Sequence, residues 1–480
     1  MSEAIGEMIL PGTYIEVRAE GLIGVGGIAT GNVGVVGTAN RGPLNTVVIL
    51  GSYTQALDTF GAYDRFPGTD TAPALTLTRT LEQLFKGGAS TIYAVRVANL
   101  AADASMASKT FTLADNADAA LAVLTATSPG TWANAIATKF DAPAGKPVTL
   151  ELTLGRAKES YSGATTGELV TAINDGSRVV TAALAGADAA AQAANAAKAP
   201  AKLTAGADGG PDGVAATTTE LAAGLDPLAT QPINLVVAGG FDAKTAAATM
   251  LAHLEATEND GRERIAVMGA SSDAVDKIIS DDVSKGSNPR LVLVAPGIMA
   301  DDAARAGERN KQVKLPAAYA AALVAGRIAT LAPHISMTNK DVAADDLARD
   351  YTRAEQKQLL NNRVFVLQKN LGIRALKGIT TDSGAFKQLS VRRIVDFAKA
   401  GVRLGSNPYI GRLNNSRVRA ALKATLDGFL AGMVLDEMLI AYTLDVSATR
   451  AQEINGQAIV TMTLQPTFSI DFVKVIMNLE

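Results

Sequence analysis

Two histidines are the only side chains in this 480-residue sequence whose ordinary pKa lies near neutrality, so they are the first candidates for catalysis. His253 lies within a helical pattern between Ala252 and Leu254, and His334 follows Pro333 in a loop. A hydrolytic triad needs a base beside a nucleophile and a third group that orients the base. The sequence contains no Gly-x-Ser-x-Gly nucleophile turn. We therefore predict no catalytic residues.

Acidic pairs and glycine-rich segments are the other places where a ligand would bind. Asp208 with Asp212 fits a turn, and the carboxylates within 341–346 fit a helix start. Neither group has the twelve-residue spacing of a calcium loop. Residues 24–29 match a dinucleotide fingerprint but lack its flanking strand and helix, and there is no phosphate-binding loop. Cysteine is absent, which excludes thiolate sites and disulfides. We predict neither a metal nor a cofactor.

Basic side chains are concentrated toward the end of the sequence. Residues 351–480 contain 17 Lys and Arg against 10 Asp and Glu, a net charge of +7. The whole chain carries −3, which leaves −10 for residues 1–350. A nearly balanced total argues against a dedicated nucleic-acid binder, and Tyr409 is the only aromatic candidate for base stacking near this group. We predict that acidic faces of neighbouring copies bind Arg392, Arg393, Arg412, Arg417, Arg419 and Lys423.

The elements that must position these side chains begin with an α/β unit at 33–97. Apolar runs predict strands at 33–37, 47–50 and 91–97. A helix rich in Thr and Leu is predicted at about 73–85. This order of elements is a compact α/β scaffold.

Residues 99–204 are rich in Ala, Thr and Asp and are predicted to form a separate, mainly-β inserted domain. Alternating side chains predict a strand at 148–154, and further patterns predict a short helix at 167–173 and a strand at 178–184. The alanine-rich segment 185–201 fits either a helix or a loose linker.

Residues 205–350 alternate between strand and helix patterns. Strands are predicted at 233–237, 264–268 and 290–294, and helices at 242–258, 271–284 and 316–331. This alternation predicts a parallel sheet that is covered on both faces.

Residues 351–480 contain two long helical patterns between strands. Strands are predicted at 363–368, 372–380, 458–465 and 468–479, and helices from 390 and over 414–439. A strand as apolar as 468–479 must be paired, because an unpaired apolar edge aggregates.

Two segments have no evident strand partner within the chain. Residues 13–19 alternate between apolar and charged side chains, and a glycine-rich hinge follows at 21–31. Residues 468–479 also alternate, with one slip of phase. We predict that both segments add as strands to sheets of neighbouring copies. The side chains predicted to form these inter-subunit strands are Ile15, Val17, Phe468, Ile470, Phe472, Val473, Val475 and Met477.

Several short segments taken together carry a family resemblance. In the first unit they are Gly34-Val35-Val36-Gly37, Arg41-Gly42-Pro43, Phe60-Gly61, Phe85-Lys86-Gly87-Gly88 and Tyr93-Ala94-Val95-Arg96-Val97. Further along they are Pro129-Gly130-Thr131-Trp132, Val324-Ala325-Gly326-Arg327 and Arg392-Arg393. In order and spacing, the sequence resembles contractile tail sheath proteins, the family of sheaths from contractile-tailed phages and related injection particles.

The resemblance implies a multidomain fold of mixed α/β and α+β class. The implied parts are an N-terminal arm at 1–21, an α/β core domain built from 22–98 and 351–464, an inserted mainly-β peripheral domain at 99–204, a middle α/β domain at 205–350, and a C-terminal arm strand at 465–480. Both terminal β-arms are expected to be extended.

The resemblance also implies a structural subunit rather than an enzyme. Such a subunit polymerises as stacked hexameric rings around an inner tube and contracts to drive the tube through a target envelope. The implied partners are the chain itself, the inner tail tube protein, and the baseplate and tail terminator proteins, with no small-molecule substrate.

Location follows from the same resemblance together with the apolar pattern. No signal-peptide pattern and no apolar run of the roughly 20 residues that a spanning helix needs are present. We expect assembly in the host cytoplasm, a place in a virion tail or injection particle, and no direct binding of nucleic acid or membrane. A non-contractile tube, capsid or surface-layer protein is the second hypothesis, and an α/β hydrolase using a serine and His334 is the third.

Overall fold

The structure is a computed structural model that describes residues 27–66, 75–99, 107–210, 212, 216–283 and 287–478. The strands within these residues are β1 (Val33–Gly37), β2 (Val47–Leu50), β3 (Ile92–Arg96), β4 (Thr110–Ala114), β5 (Ala120–Ala126), β6 (Ala137–Asp141), β7 (Val148–Leu154), β8 (Ala157–Gly163), β9 (Val180–Leu184), β10 (Lys202–Ala205), β11 (Leu235–Ala238), β12 (Ile265–Gly269), β13 (Leu291–Ala295), β14 (Ile298–Asp301), β15 (Gln312–Leu315), β16 (Asp346–Leu347), β17 (Phe365–Lys369), β18 (Ile373–Ala375), β19 (Leu439–Ser447) and β20 (Ile459–Pro466). The helices are α1 (Tyr53–Phe60), α2 (Leu77–Gly87), α3 (Thr166–Gly176), α4 (Ala189–Ala196), α5 (Thr218–Ala229), α6 (Ala243–Asn259), α7 (Val275–Lys277), α8 (Ala317–Ala329), α9 (Arg353–Asn361), α10 (Leu389–Ser406), α11 (Ser416–Leu435) and α12 (Arg450–Ile454).

An eight-stranded sheet forms the centre of the molecule. Its strand order is β18-β17-β13-β12-β11-β1-β3-β2, and the six inner strands are parallel. The two edge strands, β2 and β18, pair antiparallel to their neighbours. The inner strands are short and almost wholly apolar, because helices cover the sheet on both faces.

Each face of the sheet has its own hydrophobic core. Val35 points into a core formed with α2 and α8, and the next residue, Val36, points into a core formed with α5 and α6. Successive side chains of a strand point to opposite faces, so one apolar run supplies both cores. The result is a three-layer α/β/α arrangement.

Two of the family-like segments meet where α2 crosses α8. A Cβ on Gly87 would collide with the carbonyl oxygen of Leu323, and one on Gly326 would collide with that of Leu84. Glycine at both positions lets the two helix backbones approach closely. These glycines therefore have a packing role within the subunit.

The shared sheet corrects one part of the expected domain division. We expected a core domain from 22–98 and 351–464, and a middle α/β domain at 205–350. Instead, β1 pairs directly with β11, and β13 pairs with β17, so all three segments form one sheet. If each segment formed its own sheet, β11 and β13 would be open edges, whereas in the shared sheet both have a neighbour on each side.

Residues 107–210 fold as a unit inserted between β3 and α5. It contains a four-stranded sheet, β10-β4-β5-β9, and a three-stranded sheet, β6-β7-β8, both antiparallel. These sheets and α3 enclose a separate hydrophobic core that includes Trp132. The unit consists mainly of β-strands, and the alanine-rich segment forms α4 with Asp188 as its N-cap.

A buried arginine attaches the inserted unit to the central sheet. Arg96, at the end of β3, is fully buried and donates hydrogen bonds to the carbonyl oxygens of Gly42 (2.9 Å) and Pro129 (3.1 Å). Burial lowers the pKa of Arg96 to about 10, and Asp212 opposes this shift. The backbone N–H of Gly42 also donates to the hydroxyl of Ser128 (3.0 Å).

The segment after β18 forms a C-terminal unit of α10, α11 and the antiparallel hairpin β19–β20. Its two small cores include Ile394 and Leu430 in one, and Leu422 and Leu426 in the other. Asn415 caps the start of α11 by accepting a hydrogen bond from the backbone N–H of Val418.

Most strands predicted from apolar runs lie within one or two residues of their observed positions, as β1, β2, β7, β11, β12 and β13 do. The helix predicted at 271–284 is longer than the observed α7, which is followed by a π-helical turn at Ile278–Asp282. The sequence patterns did not predict α1, α9 or β19. The predicted strand at 13–19, with Ile15 and Val17, lies outside the described residues.

Candidate functional site

The hairpin β19–β20 presents one face to the helices of the C-terminal unit and the other to solvent. On β20, Val460, Met462 and Leu464 are half-buried, whereas the intervening Thr461 and Thr463 are exposed. The alternation arises because only one side of a two-stranded ribbon can pack on helices. A two-stranded ribbon is marginally stable unless it packs on a helix or gains further strands.

The outer edge of β20 has no strand beside it among the described residues, because this sheet consists of β19 and β20 alone. A groove of about 280 Å³ runs between this strand and α10. Its lining includes Val395 and Val402 of α10 and Met462 and Leu464 of β20. An added strand would pair with β20 through its backbone and place apolar side chains in this groove.

Residues 467–478, named here the C-terminal arm, follow β20 directly. In this described segment no residue belongs to a strand or helix. Its large apolar side chains are mostly in solvent, with Ile470 81% exposed, Phe472 84% and Met477 85%. Phe468, Val473, Val475 and Ile476 are exposed as well. The arm is an apolar segment that belongs to no sheet of its own subunit, which is typical of a surface that binds another polypeptide.

Asp471 fixes the root of the C-terminal arm to the body. Its carboxylate forms an ion pair with Lys377 (3.0 Å) and accepts hydrogen bonds from the hydroxyl of Thr338 (3.1 Å) and the amide of Gln388 (3.2 Å). The backbone N–H of Ser469 donates to the same Gln388 side chain (3.3 Å). The ammonium of Lys377 also lies 4.9 Å from the ring centre of Phe472. The direction in which the arm leaves the body is therefore set by charged and polar contacts.

A network of charges joins α10 to the amino ends of the sheet strands. Arg290, which precedes β13, bonds to Glu258 (2.6 Å) and to Asp396 of α10 (2.8 Å). Two further cations of α10 reach the same region. Lys399 pairs with Glu258 and Glu263 (both 3.0 Å), and Arg403 pairs with Glu263 (2.8 Å). The side chain of Arg290 is 4% exposed, so this network is largely shielded from water.

The network changes the pKa values of its carboxylates. Hydrogen bonds from Arg290 are the main reason that the pKa of Glu258 falls to about 2, and burial opposes them. For Glu263, burial alone would raise the pKa, but hydrogen bonds from Arg403 and Lys399 outweigh it and hold the value at about 2. Both carboxylates stay ionised well below neutral pH and keep the C-terminal unit attached to the sheet.

Two of the predicted basic contact residues require correction. Arg392 and Arg393 are buried, not exposed. Arg392 bonds to Asp396 (2.6 Å), one turn further along α10. Arg393 donates to the carbonyl oxygens of Leu331 (2.8 Å) and Thr30 (3.2 Å), and burial lowers its pKa to about 10. Side chains at i and i+4 of a helix are neighbours, so the pair is engaged within the subunit.

The other four predicted basic residues lie on or near α11. Arg412, Arg417 and Lys423 are exposed, and Lys423 faces Asp445 of β19 at 3.5 Å. Arg419 is half-buried and pairs with Glu453 (2.9 Å). A contact between this group and a neighbouring copy remains a prediction.

The two histidines lie far from the arrangement that a triad needs. His253 is buried in α6, where the guanidinium of Arg264 donates to its Nε2 (3.0 Å). Burial, and secondarily the charge of Arg264, lowers the pKa of His253 to about 4. The imidazole is therefore neutral at pH 7 and serves as a hydrogen-bond acceptor in the interior. The Nδ1 atom of His334 is buried without a hydrogen-bond partner among the described residues.

The described residues contain no group of three or more His, Cys, Asp or Glu placed to hold a metal ion. Asp208 pairs with Lys109, and Asp212 accepts hydrogen bonds from the backbone and hydroxyl of Thr131. Among the helices that the structure describes, none is both long and apolar enough to cross a membrane.

Comparisons with known proteins identify the class. Residues 215–381 match the family model for the phage tail sheath protein central domain, and residues 381–480 match that for the phage tail sheath C-terminal domain. A tail sheath protein of Bacillus phage SP01 is 29% identical over 211 residues, which is 42% of this chain and 36% of that protein. The match thus spans little more than a third of the relative's length.

Solved structures share the fold over nearly the whole chain. The sheath tail protein from Listeria innocua matches with a TM-score of 0.69 at 14% identity, over 94% of this chain and 95% of that one. The helical sheath of the anti-feeding prophage in its contracted state matches with a TM-score of 0.57 at 13% identity, over 99% and 100%. The fold is therefore the mixed α/β multidomain fold of tail sheath structures. The chain belongs to the phage tail sheath family of structural proteins, as its sequence resemblance predicted.

Sequence reasoning missed two parts of this site. No strand was predicted between the helix at 414–439 and the strand at 458–465, although Tyr442, Leu444 and Val446 alternate with Thr443 and Asp445 as in a strand. Asp471 was missed because a lone carboxylate in an apolar segment gives no sign of its distant partners.

Proposed function

We propose that this protein is the subunit of a contractile sheath, which polymerises as stacked hexameric rings around an inner tube and shortens to drive the tube through a target envelope. The proposed partners are further copies of the chain, the inner tube protein, and the baseplate and tail terminator proteins. The proposed place is a virion tail or injection particle that assembles in the host cytoplasm. Family membership supports this reading, and so does the likeness to a sheath solved in the contracted state.

One observation carries the proposal: the same C-terminal region holds both a strand donor and a strand acceptor. The donor is the C-terminal arm, which belongs to no strand and has exposed apolar side chains. The acceptor is the hairpin β19–β20, which among the described residues has no further strand on either of its two outer edges. A donor that pairs with the acceptor of another copy, and not its own, generates a polymer.

The anchoring of the arm decides whether the polymer can change length without coming apart. Strand pairing supplies main-chain hydrogen bonds between copies, while the Asp471 contacts hold the arm to its own body. Body-to-body contacts can then change while the strands stay paired. The exposed basic group at Arg412, Arg417 and Lys423 is proposed to form such contacts with acidic surfaces, at roughly 0–1 kcal/mol for each exposed pair.

Truncation tests the proposal. We expect that a protein lacking residues 467–480 keeps its folded body, because the arm contributes no strand to it, and that it no longer polymerises. Deleting residues 1–20 should also stop polymerisation while leaving a folded monomer. Circular dichroism measures folding, and electron microscopy measures tubes and their two lengths. Full-length tubes from the truncated protein would refute the proposal.

The microscopy also separates this function from a non-contractile tube, capsid or surface layer, since only a contractile sheath gives long and short tubes from one protein. The third hypothesis is tested by His334→Ala in the same assay. Unchanged assembly agrees with a structural role, and loss of a measurable hydrolytic activity would instead favour an enzyme.

A further inference from the structure

A cleft of about 770 Å³ lies at the root of the C-terminal arm, between α9 and the arm. Four cations line it, namely Arg353, Lys357, Lys377 and Lys387, against one carboxylate, Asp471. Because Lys377 and Asp471 neutralise each other, three positive charges remain. The cleft is therefore suited to an acidic partner.

The three remaining cations are available for binding. Arg353, Lys357 and Lys387 are exposed, and no carboxylate among the described residues lies within ion-pair distance of them. By contrast, Arg419 and Lys399 of the C-terminal unit have acidic partners. These three cations leave the cleft with a net positive charge that a partner chain could neutralise.

The cleft also has an apolar part. Leu360 and Leu376 are half-buried in its wall, and the ring of Phe472 is exposed at its rim. A polypeptide that carries both carboxylates and aliphatic side chains fits this lining better than a purely ionic ligand does.

Residues 1–20 of the same sequence have that chemistry. They contain four glutamates, Glu3, Glu7, Glu16 and Glu20, against Arg18 alone, which gives a net charge of −3. Aliphatic side chains lie between the acidic ones, as in the run 8–10. This segment is the occupant with complementary charge that every copy of the chain supplies.

The direction of β20 would bring the N-terminal residues of a second copy close to the cleft. The strand ends at Pro466, and five residues later Asp471 forms a wall of the cleft, a distance of at most about 17 Å. If residues 13–19 of a second copy pair antiparallel to β20, residue 13 lies beside Pro466. Glu7, six residues before it, then reaches up to about 20 Å further, into the cleft. Parallel pairing would send the same glutamate to the opposite end of β20.

We infer that residues 1–12 of a second copy dock in this cleft, with Glu3 and Glu7 facing Arg353 and Lys357, and that residues 13–19 therefore pair antiparallel to β20. This inference rests on the proposed function, because it requires that copies exchange strands. It adds the orientation of that exchange and a charged surface that closes it.

Disulfide mapping tests the orientation cleanly, because the sequence contains no cysteine. Full-length protein with Glu7→Cys is polymerised with full-length protein carrying Lys357→Cys, and oxidised dimers are measured by non-reducing electrophoresis. We expect a dimer from this pair, since a disulfide needs Cα atoms within about 7 Å. The matched control replaces Lys357→Cys by Gln457→Cys, just before β20 at its other end, and should give none. Dimers in the control only, or in neither pairing within intact polymers, would overturn the inference.

Charge reversal provides a second measurement where a cysteine variant fails to assemble. Polymerisation should be lost with Arg353→Glu and Lys357→Glu together, and restored when Glu3→Lys and Glu7→Lys are added. Normal polymers from the cleft double variant would refute the docking. Failure of the unmodified protein to polymerise would instead refute the proposed function, so the two failures are distinguishable.

Discussion

Asp396→Ala tests whether the charge network holds the C-terminal unit to the sheet. Asp396 accepts hydrogen bonds from Arg290 at 2.8 and 3.0 Å and from Arg392 at 2.6 Å. The alanine removes all three bonds and leaves the guanidinium of Arg392 stacked on Phe386 without a carboxylate.

The magnitude follows from these contacts. Hydrogen bonds to charged groups contribute about 1.5–3 kcal/mol each. Arg290 keeps its two bonds to Glu258, both 2.6 Å, so its charge stays paired and the loss is less than the sum. Breaking one partner of a buried ionic group costs about 3–5 kcal/mol. We expect Asp396→Ala to lower the free energy of unfolding by about this amount.

The measurement is urea unfolding followed by circular dichroism, with Asp445→Ala as the matched control. Asp445 faces Lys423 at 3.5 Å in an exposed pair, which predicts a loss of no more than about 1 kcal/mol. Limited proteolysis should show faster cleavage between β18 and α10 in Asp396→Ala only. If the two variants unfold at the same urea concentration, the network does not hold the unit, and the reasoning from burial is wrong.

Two further predictions concern pH and the inserted unit. The pKa values of Glu258 and Glu263 are near 2 in the folded protein and about 4.3 in the unfolded chain. The stability that these carboxylates contribute is therefore complete above about pH 5 and is lost as the pH falls toward 2. Thermal scans at several pH values should show a weaker pH dependence for Glu258→Gln. Deleting residues 99–204 and joining the ends with a short linker should leave polymerisation intact in electron micrographs, since the unit has its own core. Loss of all assembly would place that unit among the contacts between copies.

The sequence predicted the positions of individual strands better than it predicted which strands pair with each other. The strands β11, β12 and β13 were found because both faces of each are buried, which leaves an unbroken apolar run. The pairing of β1 with β11 was not predicted, because a sequence pattern carries no information about a neighbour some 200 residues away. The short, polar helix α9 was not predicted, because it has no apolar stripe. A capping box of Thr352 and Glu355 stabilises its start instead.

The candidate site was predictable in its apolar part and not in its charged part. Alternation identified β20. It also predicted a strand at 468–479, whereas residues 467–478 belong to no strand in the structure, and the pairing of this arm with another copy is still a prediction. From their charge alone, Arg392 and Arg393 were predicted to lie on a surface, but both are buried in the structure. Whether a cation is exposed depends on which element packs over it, and that is decided by the tertiary fold.

The eight-stranded sheet has a consequence for synthesis on the ribosome. The strand β1 emerges early, but its neighbour β11 follows about 200 residues later, and β17 later still. Among the elements that the structure describes, the inserted unit can finish folding in the interval, because its strands pair among themselves. The hairpin β19–β20 is translated after all of these strands. A nascent chain therefore cannot offer the edge of β20 to finished copies before the strands of its own central sheet have been translated.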